Sequence, residues 1–182
     1  MSEGFVGPAD VVSFWRDAGP EKWFKKDVEF DRAIAERFAP LHTEVATGRE
    51  QDWAKTPEGA LALILILDQF SRNMFRGTPK AFAQDEMACA IAREAIDAGF
   101  DKLVPAELRF FLYMPFEHTE AIAEQERCVL LIHAIAPSVL PYARDHERII
   151  RRFGRFPHRN AILGRETSPE EQAFLDSGGF KG

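Results

Sequence analysis

Seven successive apolar residues, Leu61 to Leu67, run directly into a polar cluster made of Asp68, Gln69, Arg72, Asn73 and Arg76. An apolar run of this length suits a buried strand as well as a buried helix, and periodicity alone does not separate them. The flanks do. Thr56 is a good N-cap, Pro57 suits the first helical turn, and no proline follows before Gly77. The stretch is therefore read as one helix of about 20 residues, roughly 30 Å long. A helix that is apolar all round at one end must be surrounded by other helices. Its polar end is where chemistry is expected.

The rest of the chain is read as helical too. Pro8 to Ala18 forms a first helix closed by Gly19-Pro20, and Trp23 and Phe24 occupy a short turn. Asp27 to Ala46 places Phe30, Ile34, Phe38, Leu41 and Val45 at spacings of three and four, with Pro40 expected to kink or split the helix. Thr78-Pro79 is expected to start a helix from Pro79 to Ala98, ended by Gly99. Pro105 opens a helix that Pro115 stops, Thr119 caps Glu120 to Ala136, and Ser138 to Arg152 follows. Ser168 to Glu171, SPEE, is a capping box for a short last helix. No stretch alternates with a period of two, and no Pro/Ser linker divides the chain. The expected architecture is a single all-α domain over residues 1–182, built from successive antiparallel helix pairs.

With 182 residues, 46% of them hydrophobic and 29% charged, the chain has the composition of a globular protein with a proper core. A net charge of −6 argues against general nucleic-acid binding. No apolar stretch approaches a membrane span, and no signal peptide is read at the N-terminus, so no membrane partner is expected. Cys89 and Cys128 are isolated and fit no metal or redox spacing, which points to a reduced, cytoplasmic setting without a metal or other cofactor.

Three stretches carry residues suited to chemistry. On the central helix, Asp68, Arg72 and Arg76 are four apart and share a face, as do Gln69 and Asn73. They form either a solvated ion pair or a polar pocket at the end of the core. From Arg144 to Arg165 there are seven arginines and no lysine. That choice favours planar, bidentate contacts with carboxylate or phosphate. Gly154 and Pro157 shape FGRFPHRN into a loop, with Phe153 and Phe156 as anchors. Arg152, Arg155, Arg159 and Asn160 then either grip an anion or pair with the chain's own surplus carboxylates. In MPFEHTEAIAEQE, His118 and Glu120 are placed at a helix start, where anions are favoured. His118, Glu120 and, in the loop, His158 are the candidates for acid–base work. His133 is read as a satisfied buried histidine. The chain contains no His-Glu-x-x-His, Gly-x-Ser-x-Gly, phosphate-binding glycine loop or dinucleotide fingerprint.

At these stretches the chain resembles a known family. LDQFSRNMFRGTPKAFAQD (67–85), YMPFEHTEAIAEQE (113–126) and RFGRFPHRNAILGRETSPEEQAFL (152–175) are similar to the hallmark segments of the bacterial domain-of-unknown-function family 924. Asp68, Gln69, Arg72, Asn73, Arg76, Asp85, His118, Glu120, Gln125, Arg152, Arg155, His158, Arg159, Asn160 and Arg165 match in place, and Thr119 stands where serine is expected. The resemblance implies an all-α, tetratricopeptide-like fold and supplies no activity, substrate or catalytic residue.

Three functional readings follow. The first is binding of an anionic small molecule or acidic peptide in an Arg/His-lined pocket between helices. The second is an enzyme acting on an anionic small molecule, with His118 or His158 as general acid or base. The third is a polar cluster that only ties helices together in an interaction scaffold. The clusters are expected to meet at the ends of their helices, with Arg72 serving Glu120.

Overall fold

The structure, a computed structural model, describes residues 6–180. Ten α-helices follow one another among these residues: α1 (Pro8–Ala18), α2 (Pro20–Trp23), α3 (Val28–Ala46), α4 (Pro57–Ile64), α5 (Ser71–Met74), α6 (Asp85–Asp97), α7 (Met114–His118), α8 (Ile122–Ile135), α9 (Leu140–Phe153) and α10 (Pro169–Asp176). A π-helical stretch, Leu65–Phe70, joins α4 to α5, and no strand occurs among the described residues. None of the described helices is long and apolar enough to cross a membrane.

The chain forms two compact units. The first takes in the chain up to Arg76 together with Lys80–Pro115; the second is Gly77–Pro79 and the chain from Phe116 onward.

In the first unit the central helix runs from Pro57 to Met74 without interruption. Thr56 caps it, its hydroxyl accepting from the Gly59 amide at 3.1 Å. Gly59 is required by a close approach: a Cβ there would lie 2.1 Å from the Trp53 carbonyl oxygen. Every residue from Gly59 to Ser71 is buried, and α1, α3 and α6 pack around the helix. Each large apolar side chain withdrawn from water in this way contributes about 1.5–3 kcal/mol. Leu63, Ile64, Leu67 and Phe70 all lie in this core, as expected. Aromatic rings fill the remaining space: Phe38 and Phe70 lie 4.9 Å apart, Trp15 meets Phe111 edge-on at 5.4 Å, and the Trp23 indole donates to the Trp15 carbonyl at 2.7 Å.

Several local expectations are corrected. Pro40 stays inside an unsplit α3, whose N-terminus Asp27 caps by accepting from the amides of Glu29 and Phe30. Pro79 starts only one 3-10 turn, Pro79–Ala81, and α6 begins at Asp85. Pro115 does not stop a helix; it lies in the first turn of α7, where a proline's missing N–H costs nothing. The preceding Arg109–Leu112 is a 3-10 turn rather than part of a longer helix. α8 begins at Ile122 after Ala121, so His118 ends α7 and Glu120 lies in the connector. His133, expected to be buried, is exposed.

In the second unit α8 and α9 form an antiparallel pair, with Glu126 of one reaching Arg151 of the other at 2.7 Å. Pro137 separates them, as the sequence suggests. Ile149, Ile150 and Phe156 form a small core, against which Phe153, Phe174 and Phe180 pack.

Candidate functional site

The polar end of the central helix lies at the π stretch. A π turn shifts the helix face by one residue, and such turns are frequent at functional sites. Here it accompanies two buried polar side chains: Asp68 is fully enclosed, and the Gln69 amide donates to it at 2.6 Å. Arg72 meets Asp85 through two parallel hydrogen bonds of 2.9 and 3.1 Å and lies 3.0 Å from Asp68. A bidentate fork of this kind is the strong form of the ion pair. The expected common face does not persist. Asn73 and Arg76 turn to Asp31 of α3, at 2.7 Å and at 2.5 and 3.0 Å. The five residues therefore form two clamps, one to α6 and one to α3, both inside the first unit. Beside them His42 is bonded to the Ser71 hydroxyl at 2.8 Å, and burial lowers its pKa.

In the second unit, Gly154 at φ +69° ends α9 and reverses the chain. Phe156 then drops into the core, and Pro157–Arg159 forms a 3-10 turn. Two carboxylates hold this loop. Glu120 accepts the Phe156 amide at 2.8 Å and both terminal nitrogens of Arg165 at 2.8 and 3.0 Å. Burial opposes the ionisation of Glu120, but Arg165 and the Phe156 amide outweigh it and lower its pKa. Glu171 of α10 takes Arg155 at 2.6 and 2.8 Å, the Asn160 amide at 3.2 Å and its own capping partner, the Ser168 amide, at 2.7 Å. Arg155 foremost among these donors pulls the Glu171 pKa down to about 2. Each residue expected to serve the other thus has a partner within its own unit: Arg72 has Asp85 and Asp68, and Glu120 has Arg165.

Three histidines lie beside this loop. His146 of α9 donates to the Tyr142 carbonyl at 2.9 Å and sits 3.2 Å from Glu117, with the His118 ring 6.5 Å away. Burial lowers the His146 pKa, and Glu117 offsets part of that effect. Burial, followed by the positive charge of Arg159, pushes His158 down to about 4, so its ring is neutral at pH 7. Its Nδ1 is buried without a hydrogen-bond partner, and the Phe156 and Phe180 rings flank it at 5.6 and 5.1 Å. Arg159 donates to the His118 carbonyl at 3.0 Å and lies over the Phe156 ring at 4.6 Å. Among the described residues, no group of three or more His, Cys, Asp or Glu side chains is arranged to hold a metal ion.

Next to the histidines, α9, α10 and Phe180 enclose a groove of about 420 Å³, lined by Asp145, Arg148, Ile149, Arg152, Phe153, Phe174 and Phe180. Its floor is aromatic and its rim carries two guanidinium groups. Of the candidate anion-binding arginines Arg152, Arg155 and Arg159, Arg152 is the one that reaches this groove. It lies over Phe153 at 4.7 Å and Phe174 at 6.0 Å and pairs with the exposed Glu170 at 2.9 Å. Sequence reasoning missed Asp31 and His146, which stand in no recognisable motif, and Glu117, which lies within the 113–126 segment beside the residues singled out there. Glu171 was visible only as a capping residue, and Asp85 only through the family resemblance.

No curated protein matches the chain. A solved structure of a protein of unknown function from Agrobacterium tumefaciens is similar over 94% of this chain and 97% of its own, with 47% identity and a TM-score of 0.91. Residues 11–179 match the family described as bacterial protein of unknown function, DUF924, and the chain belongs to that family.

Proposed function

We propose that the chain binds an anionic ligand with an apolar body, a small molecule or an acidic peptide segment, in the groove between α9, α10 and Phe180. The carrying observation is Arg152 laid over Phe153 and Phe174 at the rim of an aromatic-floored groove of about 420 Å³. That volume lies within the usual range for ligand pockets. The Arg152–Glu170 pair is exposed on both sides, as is Arg148–Asp145. Exposed pairs are worth little, so an incoming carboxylate displaces them at small cost. Arg155, Arg165 and Asn160 are assigned to holding the loop, because Glu171 and Glu120 already engage them. The antiparallel α8–α9 pair supports a tetratricopeptide-like arrangement of helices.

The test is thermal melting with phenylpropionate and with its uncharged alcohol. The acid is expected to raise the melting temperature and the alcohol to do much less; at about 100 times its dissociation constant the acid adds roughly 2.7 kcal/mol. Arg152→Met should abolish the difference. Equal shifts from acid and alcohol, or an unchanged response in Arg152→Met, would sink the proposal.

An enzymatic reading has one observation in its favour: the neutral His158, whose buried Nδ1 lacks a partner and whose ring meets Phe180 of the groove. Its ring is unprotonated at pH 7 and so is open to a proton, as a weak base with a pKa of about 4. His158→Gln that keeps phenylpropionate binding but loses turnover of a carboxylate substrate is the expected mark of this role. Unchanged turnover would remove His158 from the chemistry.

A further inference from the structure

We propose that the outer face of α8 is a self-association surface, covered in the assembled protein by a second copy of this chain. α8 is apolar round most of its circumference, with Ile122, Val129, Leu130, Leu131, Ile132 and Ile135 in one helix. A helix of that composition is normally enclosed. Here Gln125, Cys128 and Ile132 are its buried residues, while Ile122, Leu130 and Ile135 are exposed, Leu130 at 70%. One exposed leucine needs no explanation. A helix that exposes three of its six large apolar residues and fully buries only one does.

The charges around this face indicate what covers it. Glu126 and Glu147 both bond to the single guanidinium of Arg151, at 2.7 Å for Glu126, which leaves one negative charge in surplus. Arg148 is matched by Asp145. Arg144 makes no ion pair or side-chain hydrogen bond among the described residues, which leaves one positive charge in surplus. Both surpluses border one groove of about 420 Å³, lined by Glu126, Val129, Leu130, Arg144, Glu147 and Arg148. A two-fold contact brings the same patch against itself, so the patch must be complementary to itself. An apolar centre at Leu130, flanked by one unmatched acid and one unmatched base, meets that requirement. In the pair, Arg144 of each copy faces the Glu126/Glu147 end of the other, and Leu130 fills the partner's groove.

The test is sedimentation velocity of the full chain over about 1–100 μM, the range in which a micromolar contact is visible. The wild type is expected to approach twice the monomer mass. Leu130→Glu should remain monomeric with an unchanged helical spectrum and, at a concentration low enough for monomer, an unchanged melting temperature, since this side chain is exposed. Arg144→Glu should weaken the dimer at least tenfold, and Glu126→Arg added to Arg144→Glu should recover part of the loss. A wild type that stays monomeric across the series overturns the proposal, as do a dimer unaffected by Leu130→Glu and an assembly that grows beyond two copies.

Discussion

The central helix of the first unit and α8 of the second are both strongly apolar, yet they are treated in opposite ways. From Gly59 to Ser71 the central helix is enclosed, and its polar residues are met by named partners on α3 and α6. α8 buries a glutamine, a cysteine and one isoleucine, and exposes two isoleucines and a leucine. Composition therefore states that a helix needs covering, without stating whether its own chain supplies the cover. The two units also differ in how they hold together. The first rests on stacked rings and a long apolar helix, whereas the second, with a smaller core, relies on Glu120 and Glu171 to pin the loop after α9.

The largest effect that would break this comparison is a core truncation. Leu67→Ala is expected to cost about 2–5 kcal/mol, as large-to-small changes in packed interiors do. Leu130→Ala, measured by denaturant unfolding at a concentration low enough for monomer, should stay within about 0.5 kcal/mol. Similar losses at both sites would mean that α8 is no barer than the central helix. A smaller effect separates the two kinds of ion pair within the second unit. Glu120→Gln leaves Arg165 and the Phe156 amide poorly matched in a half-buried site, and is expected to cost about 1–3 kcal/mol. Asp145→Asn, at an exposed pair with Arg148, should cost no more than about 1 kcal/mol. Equal costs would show that the Glu120 site is as wet as the surface.

The smallest effect is a dependence on pH. The folded-state pKa of His158 is lowered to about 4 from an ordinary value of 6.5, so the unfolded chain takes up the proton first. Stability from this group is complete above pH 6.5 and is lost as the pH falls towards 4, by about 1 kcal/mol between about pH 6.5 and 5.5. His158→Phe should flatten that part of the profile, leaving the contributions of His42 and His146, which share the same sign. A profile unchanged by the substitution would place the proton elsewhere.

Sequence patterning was informative wherever one local rule governed the outcome. Thr56, Pro57 and the apolar run located the central helix, and SPEE located the start of α10. Patterning failed where a tertiary partner decided. Thr78-Pro79 reads as a helix start and Pro115 as a helix stop, yet Pro79 opens only a 3-10 turn and Pro115 lies in the first turn of an α-helix. The shared spacing of Asp68, Arg72 and Arg76 suggested one face, but α5 ends at Met74 and Arg76 is drawn to Asp31. The two possible fates of the arginines were both legible, but the choice between them was not. Whether Arg155 meets a ligand or Glu171 depends on a loop geometry that no local spacing encodes.

One carboxylate, that of Glu171, both caps α10 and closes on Arg155 in the loop after α9. As the chain leaves the ribosome, Arg155 emerges 16 residues before its partner. Glu120, made before the loop, is already there to take the Phe156 amide and Arg165, but the Arg155 fastening waits until α10 has been made and has turned back on the loop. Winding of that short helix and the second fastening of the loop become a single late event in synthesis.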